Sequence, residues 1–315
     1  MDVIKKVIQI GLITTVILML SSCDVYNRND GRRVFGATSM NNSNPYFVAI
    51  LDEMREQIEA HGDTLIVVDG AQSQEKQLNG VENLIVQNID GMFINPVEAV
   101  GVEPALDALN AAGIPIINYD SKVAAQDKVI TYVGSDNRNA GFVCGLDLVK
   151  KKPEGGDVII ISFKTADAVV NRVNGFLDAI EGHGFNIVGE SDAVGDQTKA
   201  MNATTDLLQA NPNVVAVFAA TDPTAKGALS AVESSGLKDI LIYGVDGSPD
   251  IKAEVAKEGS PVEGTGAQSP LTTAKKSVEL MYAYLDGEEL EDEYPVPTFL
   301  INSDNIDEYD IHGWQ

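Results

Sequence analysis

The sequence predicts an α/β fold of two doubly wound parallel-sheet lobes. Short apolar runs alternate regularly with longer amphipathic stretches over almost the whole chain after residue 33. The short runs are β-branched and apolar nearly throughout, which is typical of parallel strands covered by helices on both faces. There are about ten such units, more than one open sheet of ordinary size would use, so we expect two lobes.

Most strand candidates are short runs rich in Val, Ile, Leu and Phe. This composition favours a strand that is buried on both faces over a half-exposed one, which would alternate apolar and polar residues. In chain order the candidates are 34–37, 65–68, 91–94, 115–118, 129–133, 158–162, 187–191, 214–218, 241–244 and 262–266.

Segments with helical periodicity separate the strands. Their apolar residues recur three or four positions apart, which places those residues on the one helix face that packs against a sheet. Asn44 is a natural N-cap for the first of these helices, because Pro45 suits a first helical turn. The helix candidates are 46–60, 75–87, 102–112, 140–151, 169–181, 200–209, 225–235 and 272–285.

The first part of the chain has the features of an export signal. Two lysines precede an apolar run, 7–20, that is shorter than a comfortable membrane span. Small residues stand just before Cys23, a pattern that resembles the lipobox of bacterial lipoproteins and implies acylation of Cys23 after removal of residues 1–22. An uncleaved anchor helix is the alternative. In either case the bulk of the protein lies outside the cytoplasmic membrane, with residues 23–33 as a polar tether.

The charge of the chain excludes one class of partner. It has 22 Lys and Arg against 47 Asp and Glu, a formal net charge of −25. Binding to phosphate backbones needs a basic surface, so we expect no nucleic-acid partner. With two cysteines in total, no disulfide framework is expected.

No group of residues forms a recognisable catalytic or metal site. His61, His183 and His312 lie far apart in the sequence, and phosphate-binding loops, zinc-protease motifs and nucleophile elbows are missing from it. We therefore expect no enzymatic activity, no cofactor and no metal. The acidic stretch 303–310 lacks the central Gly of a calcium loop and is predicted to be solvated. Cys144, on an apolar helix face, is predicted to be buried and inert.

Ligands of open parallel sheets bind beyond the carboxyl ends of the strands. The residues at these ends are polar and nearly free of catalytic types, which suggests hydrogen bonding to a neutral polar ligand. Tyr46 and Phe47 follow the first strand, where they could stack on the C–H face of a sugar ring or serve only as core residues. The polar positions at the strand ends are 39–44, Asp69, Asn95, Asp120, Asp136, Lys164, Thr221, Asp222, Asp246 and Gln268.

A series of short motifs runs through most of the chain after the tether. Examples are Asn-Pro-Tyr-Phe at 44–47, Asn-Ile-Asp-Gly-Met-Phe-Ile-Asn-Pro at 88–96 and Tyr-Gly-Val-Asp-Gly-Ser-Pro-Asp at 243–250. Others are at 69–72, 113–120, 134–137, 171–176 and 220–228. Their collinear order resembles the type I periplasmic sugar-binding proteins of the ribose-binding class, which serve bacterial ABC importers.

The resemblance implies a set of ligand-binding residues from both lobes. A carboxylate beside Arg and amide groups can satisfy hydroxyls as donors and as acceptors. For Arg172, a surface cation on its helix is the alternative. The implied ligand-binding residues are Asn44, Tyr46, Phe47, Asp120, Arg172, Asp246 and, at the hinge, Gln268.

Three positions depart from the ribose-binding pattern. Ser121 stands where the family has an arginine, Gly195 where an aromatic is expected and Thr221 where an Asn is usual. Ser121 and Thr221 remain in the predicted site. Because a long cation and a stacking ring are missing, the pocket should be more open. The departures therefore favour a larger or differently decorated sugar, a polyol or a related polar metabolite over ribose in its standard pose.

The resulting hypothesis is a lipid-anchored, monomeric solute-binding protein that closes over one sugar or polyol and delivers it to an ABC permease in the cytoplasmic membrane. The turn at 134–137 marks the lobe boundary. We expect residues 34–134 with about 269–296 in the N-terminal lobe, and 135–268 with about 297–315 in the C-terminal lobe. The multi-strand hinge is expected near Ser135, Gln268 and Pro297.

Two alternatives keep the fold and change the output. The protein could present its ligand to a chemoreceptor or a receptor kinase instead of a permease. It could also be an exported sugar-processing enzyme, with Asp120 and Asp246 as acid and base. Turnover of a bound sugar would decide for the enzyme.

Overall fold

The structure is a computed structural model that describes residues 31–164 and 166–315. The predicted export signal and Cys23 lie outside these residues, as does the tether before residue 31. Within the described ranges, none of the helices combines the length and the apolar composition that a membrane crossing needs.

The first sheet is parallel throughout and has the strand order β11-β5-β4-β3-β1-β2. Strands β1 to β5 follow one another along the chain, and β11 joins this sheet from much later in the sequence. The strands are β1 (Val34–Ser39), β2 (Thr64–Asp69), β3 (Gly91–Ile94), β4 (Ile116–Tyr119), β5 (Thr131–Ser135) and β11 (Glu293–Val296), and the helices around them are α1 (Pro45–Ala60), α2 (Gln74–Val86), α3 (Glu103–Ala111) and α9 (Pro270–Leu285).

The second sheet repeats this topology with the order β12-β10-β9-β8-β6-β7. It differs at the edge, where β12 runs antiparallel to β10. The strands are β6 (Gly156–Ser162), β7 (Phe185–Asp192), β8 (Val214–Ala219), β9 (Leu241–Asp246), β10 (Val262–Ala267) and β12 (Phe299–Asn302), and the helices are α4 (Asn137–Lys151), α5 (Asp167–Ile180), α6 (Gln197–Ala210), α7 (Asp222–Ser235) and α8 (Pro249–Val255).

Both sheets have a hydrophobic core on each face, as the apolar strands predict. Ile116 packs with Leu106 on one face of the first sheet, while its neighbour Ile117 packs with Met281 on the other. Successive residues of a strand point to opposite faces, so a strand between two cores is apolar at most of its positions. The predicted doubly wound α/β class is therefore confirmed.

The backbones of α4 and α5 approach each other closely, and this contact fixes the position of α5, which carries Arg172. A Cβ added to Gly141 would lie 1.8 Å from the carbonyl oxygen of Arg172, and one added to Gly175 would lie 1.8 Å from that of Arg138. Only glycine allows this approach. Cys144, also on α4, is fully buried as predicted, and burial raises the pKa of its thiol.

The short elements late in the chain have no clear sequence signal and were not predicted. Helix α8 has 7 residues, too few for helical periodicity to be visible. Strand β11 contains Pro295 at the edge of its sheet, where proline is tolerated but hides the strand signal. The segment 303–310 exposes its acidic side chains as predicted, yet Ile306 is buried and Tyr309 stacks on Phe299 at 5.6 Å. The segment is thus packed against the second sheet.

Candidate functional site

A cavity of about 550 Å³ is lined by residues that follow strands of both sheets. This is the position at which doubly wound sheets bind ligands, and the volume suits a small molecule. The lining comes from the segments after β1, β2, β4, β6, β7, β8 and β9, with Trp314 added from the segment after β12.

The cavity brings together most of the residues that the sequence predicted. Eight of the nine predicted ligand-binding residues line it: Asn44, Tyr46, Phe47, Asp120, Ser121, Arg172, Thr221 and Asp246. Gln268 is fully buried behind them. It donates a hydrogen bond from Nε2 to Oδ1 of Asp246 at 2.8 Å and accepts one at Oε1 from the hydroxyl of Tyr46 at 3.2 Å.

Other polar residues at the strand ends have structural roles outside the cavity lining. Asp136 caps α4 by accepting a hydrogen bond from the Asn139 amide at 3.0 Å. Asp69 accepts from the amides of Asn42 and Ala71, which orders two turns. Lys164 pairs with a glutamate of β7. Position at a strand end therefore selects candidates, and the direction of each turn decides which of them reach the cavity.

Asp246 is held in a buried ion pair with Arg172. Its Oδ1 accepts from Nη1 of Arg172 at 3.1 Å, and the two side chains are 6% and 5% exposed. Arg172 also donates from Nε to Oδ1 of Asn137 at 2.8 Å. Burial raises the pKa of Asp246, and the guanidinium opposes that rise. The interpretation of Arg172 as a surface cation is wrong, because α5 turns it inward against Asp246.

Asp120 is the second buried carboxylate of the cavity. Its Oδ2 accepts from Nδ2 of Asn95 at 3.2 Å and from the hydroxyl of Ser121 at 3.3 Å. Burial raises the pKa of Asp120 to about 6, against the opposing charge of Arg172. Its backbone carbonyl accepts a hydrogen bond from the hydroxyl of Tyr132 at 2.6 Å, which fixes the turn after β4.

Asp120 and Asp246 occupy corresponding places in the two sheets. Asp120 directly follows β4, which lies between β3 and β5, and Asp246 ends β9, which lies between β8 and β10. Both have a positive φ, 61° for Asp120 and 145° for Asp246. A positive φ is energetically unfavourable for a residue with a Cβ, and this conformation is found disproportionately at functional sites. The two strained aspartates thus face the same cavity from opposite sheets.

The aromatic residues of α1 lie where the core under the first sheet meets the cavity. Tyr46 and Phe47 are 3% and 7% exposed, belong to the core under the first sheet and also line the cavity. Their rings meet edge to face at 5.6 Å. Asn44 accepts a hydrogen bond at Oδ1 from the Tyr46 amide at 3.0 Å, which confirms the predicted N-cap.

Several further residues line the cavity that were not among the predicted ligand-binding residues. Lys226 and Asp250 pair at 2.6 Å across the rim, and both stand in motifs that could have pointed to them. Phe163 follows β6 and could have been found by the same strand-end rule. Gly195 lines the cavity with a φ of 69°, and a Cβ there would meet open space. Trp314 had no signal, because none of the strands or motifs predicted from the sequence lies close before it.

Known proteins share both the sequence and the fold. The chain matches the periplasmic binding protein domain family over residues 35–289. It is 34% identical over 260 residues to a ribose import binding protein of Salmonella typhimurium, covering 82% of this chain and 87% of that protein. It is 30% identical over 303 residues to the ribose import binding protein of Bacillus subtilis, covering 93% and 97%.

A solved structure extends this likeness to three dimensions. It is an ABC transporter periplasmic solute binding protein from Actinobacillus succinogenes with bound D-allose, with a TM-score of 0.83, 28% identity, and 88% of this chain and 100% of that one covered. Two parallel-sheet lobes with polar strand ends around one cavity agree with this match. The chain therefore belongs to the periplasmic binding protein family, in the ribose-binding class of its type I sugar-binding members.

Proposed function

We propose that this protein captures a sugar or sugar-like polar molecule in the cavity and delivers it to an ABC importer. The observation that carries the proposal is the pair of buried carboxylates, Asp120 and Asp246, aimed at one aromatic-walled cavity from two sheets. Relatives that import ribose and a relative with bound D-allose support a sugar as the ligand class.

The chemistry of the cavity suits a polyhydroxylated neutral ligand. Each sugar hydroxyl can donate one hydrogen bond and accept others, so it needs acceptors and donors within reach. Asp120 and Asp246 supply carboxylate acceptors, and Arg172 supplies donors that are charge-assisted. Tyr46 and Phe47 offer aromatic surface to the apolar C–H face of a ring. A charged ligand would not need this balance.

Ligand capture would operate through lobe closure. We assign residues 34–134 with about 269–296 to one lobe and 135–268 with about 297–315 to the other. In support, the chain passes between the sheets after Ser135, after Gln268 and at Pro297, where β11 and β12 are joined. A ligand that touches both lobes stabilises the closed form by its differential contacts.

The departures from the ribose pattern bear on ligand size. Gly195 leaves open space at the cavity, and the short Ser121 side chain stays on Asp120 and does not extend into the cavity as an arginine would. Thr221 forms a capping box with Thr224 at the start of α7, so its hydroxyl is already engaged. We therefore assign a ligand larger or differently decorated than ribose.

The cellular setting follows from the family and from the start of the chain. Members of the family are binding proteins, and we propose no catalytic turnover here, because Asp246 is held by Arg172 and Gln268. We further propose an extracytoplasmic monomer anchored to the membrane by a lipid on Cys23. Export and lipid attachment would keep the protein close to the permease that it serves.

A thermal-shift screen tests the proposal. The purified protein would be melted with D-ribose, D-allose, D-galactose, myo-inositol and glycerol. A ligand present at about 100 times its Kd should raise Tm by roughly 5 °C, because only the folded state binds it. A flat response across the panel would contradict a sugar or polyol as the ligand class.

A further inference from the structure

The segment 310–315 is held by a buried lysine of the second lobe. Lys252 on α8 is 1% exposed, and its ammonium donates to the carbonyls of Asp310 at 2.6 Å and Gly313 at 2.7 Å and to Oε1 of Gln315 at 3.1 Å. An ammonium has three donors, so all of them are used on this segment. Because an unpaired buried ammonium is very unfavourable, Lys252 and the segment hold each other in place.

A second anchor ties the same segment to the binding residues. Nε2 of Gln315 donates to the backbone carbonyl of Asp246 at 3.2 Å and to that of Gln268. Gly247 makes room for this contact, since a Cβ there would lie 2.3 Å from the Gln315 amide nitrogen. The segment therefore crosses the carboxyl ends of β9 and β10 on a defined path.

Trp314 stands between these anchors and reaches the first lobe. Its ring meets that of Tyr46 edge to face, with centroids 5.8 Å apart and planes at 75°. It also lines the cavity and packs beside the core under α1. A segment fixed to the second sheet thus brings an indole onto an aromatic wall of the first.

We propose that Trp314 is a ligand-contacting residue, carried by a strap of residues 310–315 that Lys252 and Gln315 lock in place. Indole offers a large aromatic surface for the C–H face of a sugar or polyol ring. Gly195 leaves part of the cavity wall without a side chain, and the strap restores aromatic surface to the cavity from another direction. This assignment rests on the proposed sugar-binding function and names one of its specificity determinants.

The tryptophan fluorescence of the protein reports on the surroundings of Trp314, because it is the only tryptophan in the sequence. Fluorescence excited at the red edge, where tyrosine does not absorb, would be followed during titration with D-ribose, D-allose and myo-inositol, with calorimetry in parallel. For a probe that binds, we expect an emission change that saturates with the calorimetric Kd. Trp314→Ala should weaken binding by about tenfold, and Trp314→Phe should recover most of the loss. Tyr284→Ala, at an exposed position outside the cavity lining, is the matched control and should leave Kd unchanged.

The outcomes separate this proposal from the proposed function. Calorimetric binding with unchanged Trp314 emission and a wild-type Kd in Trp314→Ala would overturn the ligand contact and leave sugar binding intact. No calorimetric heat with any probe would overturn both.

The strap itself is tested without a ligand. We expect Lys252→Met to shift Trp314 emission to the red and to raise its quenching by acrylamide severalfold, because the indole is released to water. Gln315→Ala should cause a smaller change in the same direction. This variant provides the test if Lys252→Met does not fold. Emission and quenching that stay at wild-type values in the folded variants would overturn the strap.

Discussion

The guanidinium of Arg172 and the carboxylate of Asp246 form an ion pair of 3.1 Å that is almost completely removed from solvent. A buried pair of this kind adds little to stability by itself, because desolvation of both charges offsets their attraction. The role of the pair here is to position the carboxylate of Asp246. Arg172 and Gln268 together fix Oδ1 of Asp246, and within the described residues its Oδ2 accepts a single, long hydrogen bond of 3.3 Å from the Asp222 amide. One oxygen is thus held while the other keeps capacity for a hydroxyl donor.

The stability of the ligand-free protein should depend on the ionisation of Asp120. Its folded pKa is raised to about 6 by burial, above that of an unfolded aspartate. A carboxyl with a raised folded pKa stabilises the fold below the unfolded pKa, and this contribution is lost as pH rises through about 6. Asp120→Asn removes this ionisable group. We therefore expect the unfolding free energy of the variant to change less than that of wild type between about pH 4 and pH 7, by on the order of 1 to 3 kcal/mol.

Urea denaturation at several pH values checks this expectation. Asp222, whose pKa burial raises to about 7, and Asp246 also titrate late, so the wild-type curve contains their contributions as well. The difference between wild type and Asp120→Asn isolates one group. Parallel curves for the two proteins would show that Asp120 has no raised pKa in the folded state.

The contact between α4 and α5 should not tolerate a methyl group. Gly141→Ala places a Cβ at 1.8 Å from the Arg172 carbonyl oxygen, so the helices must separate. We expect a loss of about 1 to 3 kcal/mol in unfolding free energy, together with weaker ligand binding because Arg172 moves with α5. Leu146→Ala, at an exposed position on α4, should stay within about 0.5 kcal/mol. Equal stability of the two variants in urea would contradict the backbone contact.

Position 121 is one of those that depart from the ribose-binding pattern, and a substitution there should change which sugar the protein prefers. Ser121→Arg should place a cation beside Asp120 and narrow the cavity, which favours a smaller sugar. We expect the affinity for D-ribose relative to D-allose to rise by about tenfold, measured by calorimetry. Ser121→Ala, which adds no cation, should leave this ratio near its wild-type value. An unchanged ratio in Ser121→Arg would mean that this position does not set ligand size.

The lipid anchor can be tested with the two cysteines of the chain. We expect the wild-type protein, expressed in a bacterium, to be recovered with the membrane fraction and Cys23→Ser to be released from it, because a single thiol carries the acyl chain. Cys144→Ala removes the other thiol, which is buried in α4, and should leave membrane attachment unchanged. Retention of Cys23→Ser in the membrane fraction would point to an uncleaved anchor helix.

The sequence was informative wherever a function depends on local pattern. All ten strand candidates are present in the structure, and Asn44, Asp120 and Asp246 were found because capping and strand-end rules act on neighbouring residues. Gln268, also predicted as a ligand contact, is fully buried and donates a hydrogen bond to Asp246. Its position depends on how β9 and β10 pair, which no local pattern encodes.

Tertiary contacts explain what the sequence could not predict. Lys252 has the pattern of an ordinary surface cation on a short helix, yet it is buried because the segment 310–315 folds over it. Trp314 is separated from Tyr46 by most of the chain, and only the path of that segment brings the rings together. Distant pairings of this kind leave no periodicity or motif to detect.

Calorimetric titration of Asp246→Asn is the sharpest test that this cavity binds a sugar or sugar-like ligand. The variant keeps the shape of the side chain and removes the charge that pairs with Arg172 at the cavity wall. With the probe that binds the wild-type protein best, we expect affinity to fall by roughly tenfold to a hundredfold. Asp250→Asn, an exposed carboxylate at the cavity rim, should change affinity by less than about threefold. Binding of the same probe by folded Asp246→Asn as tightly as by wild type would contradict the assignment of this cavity as the sugar site.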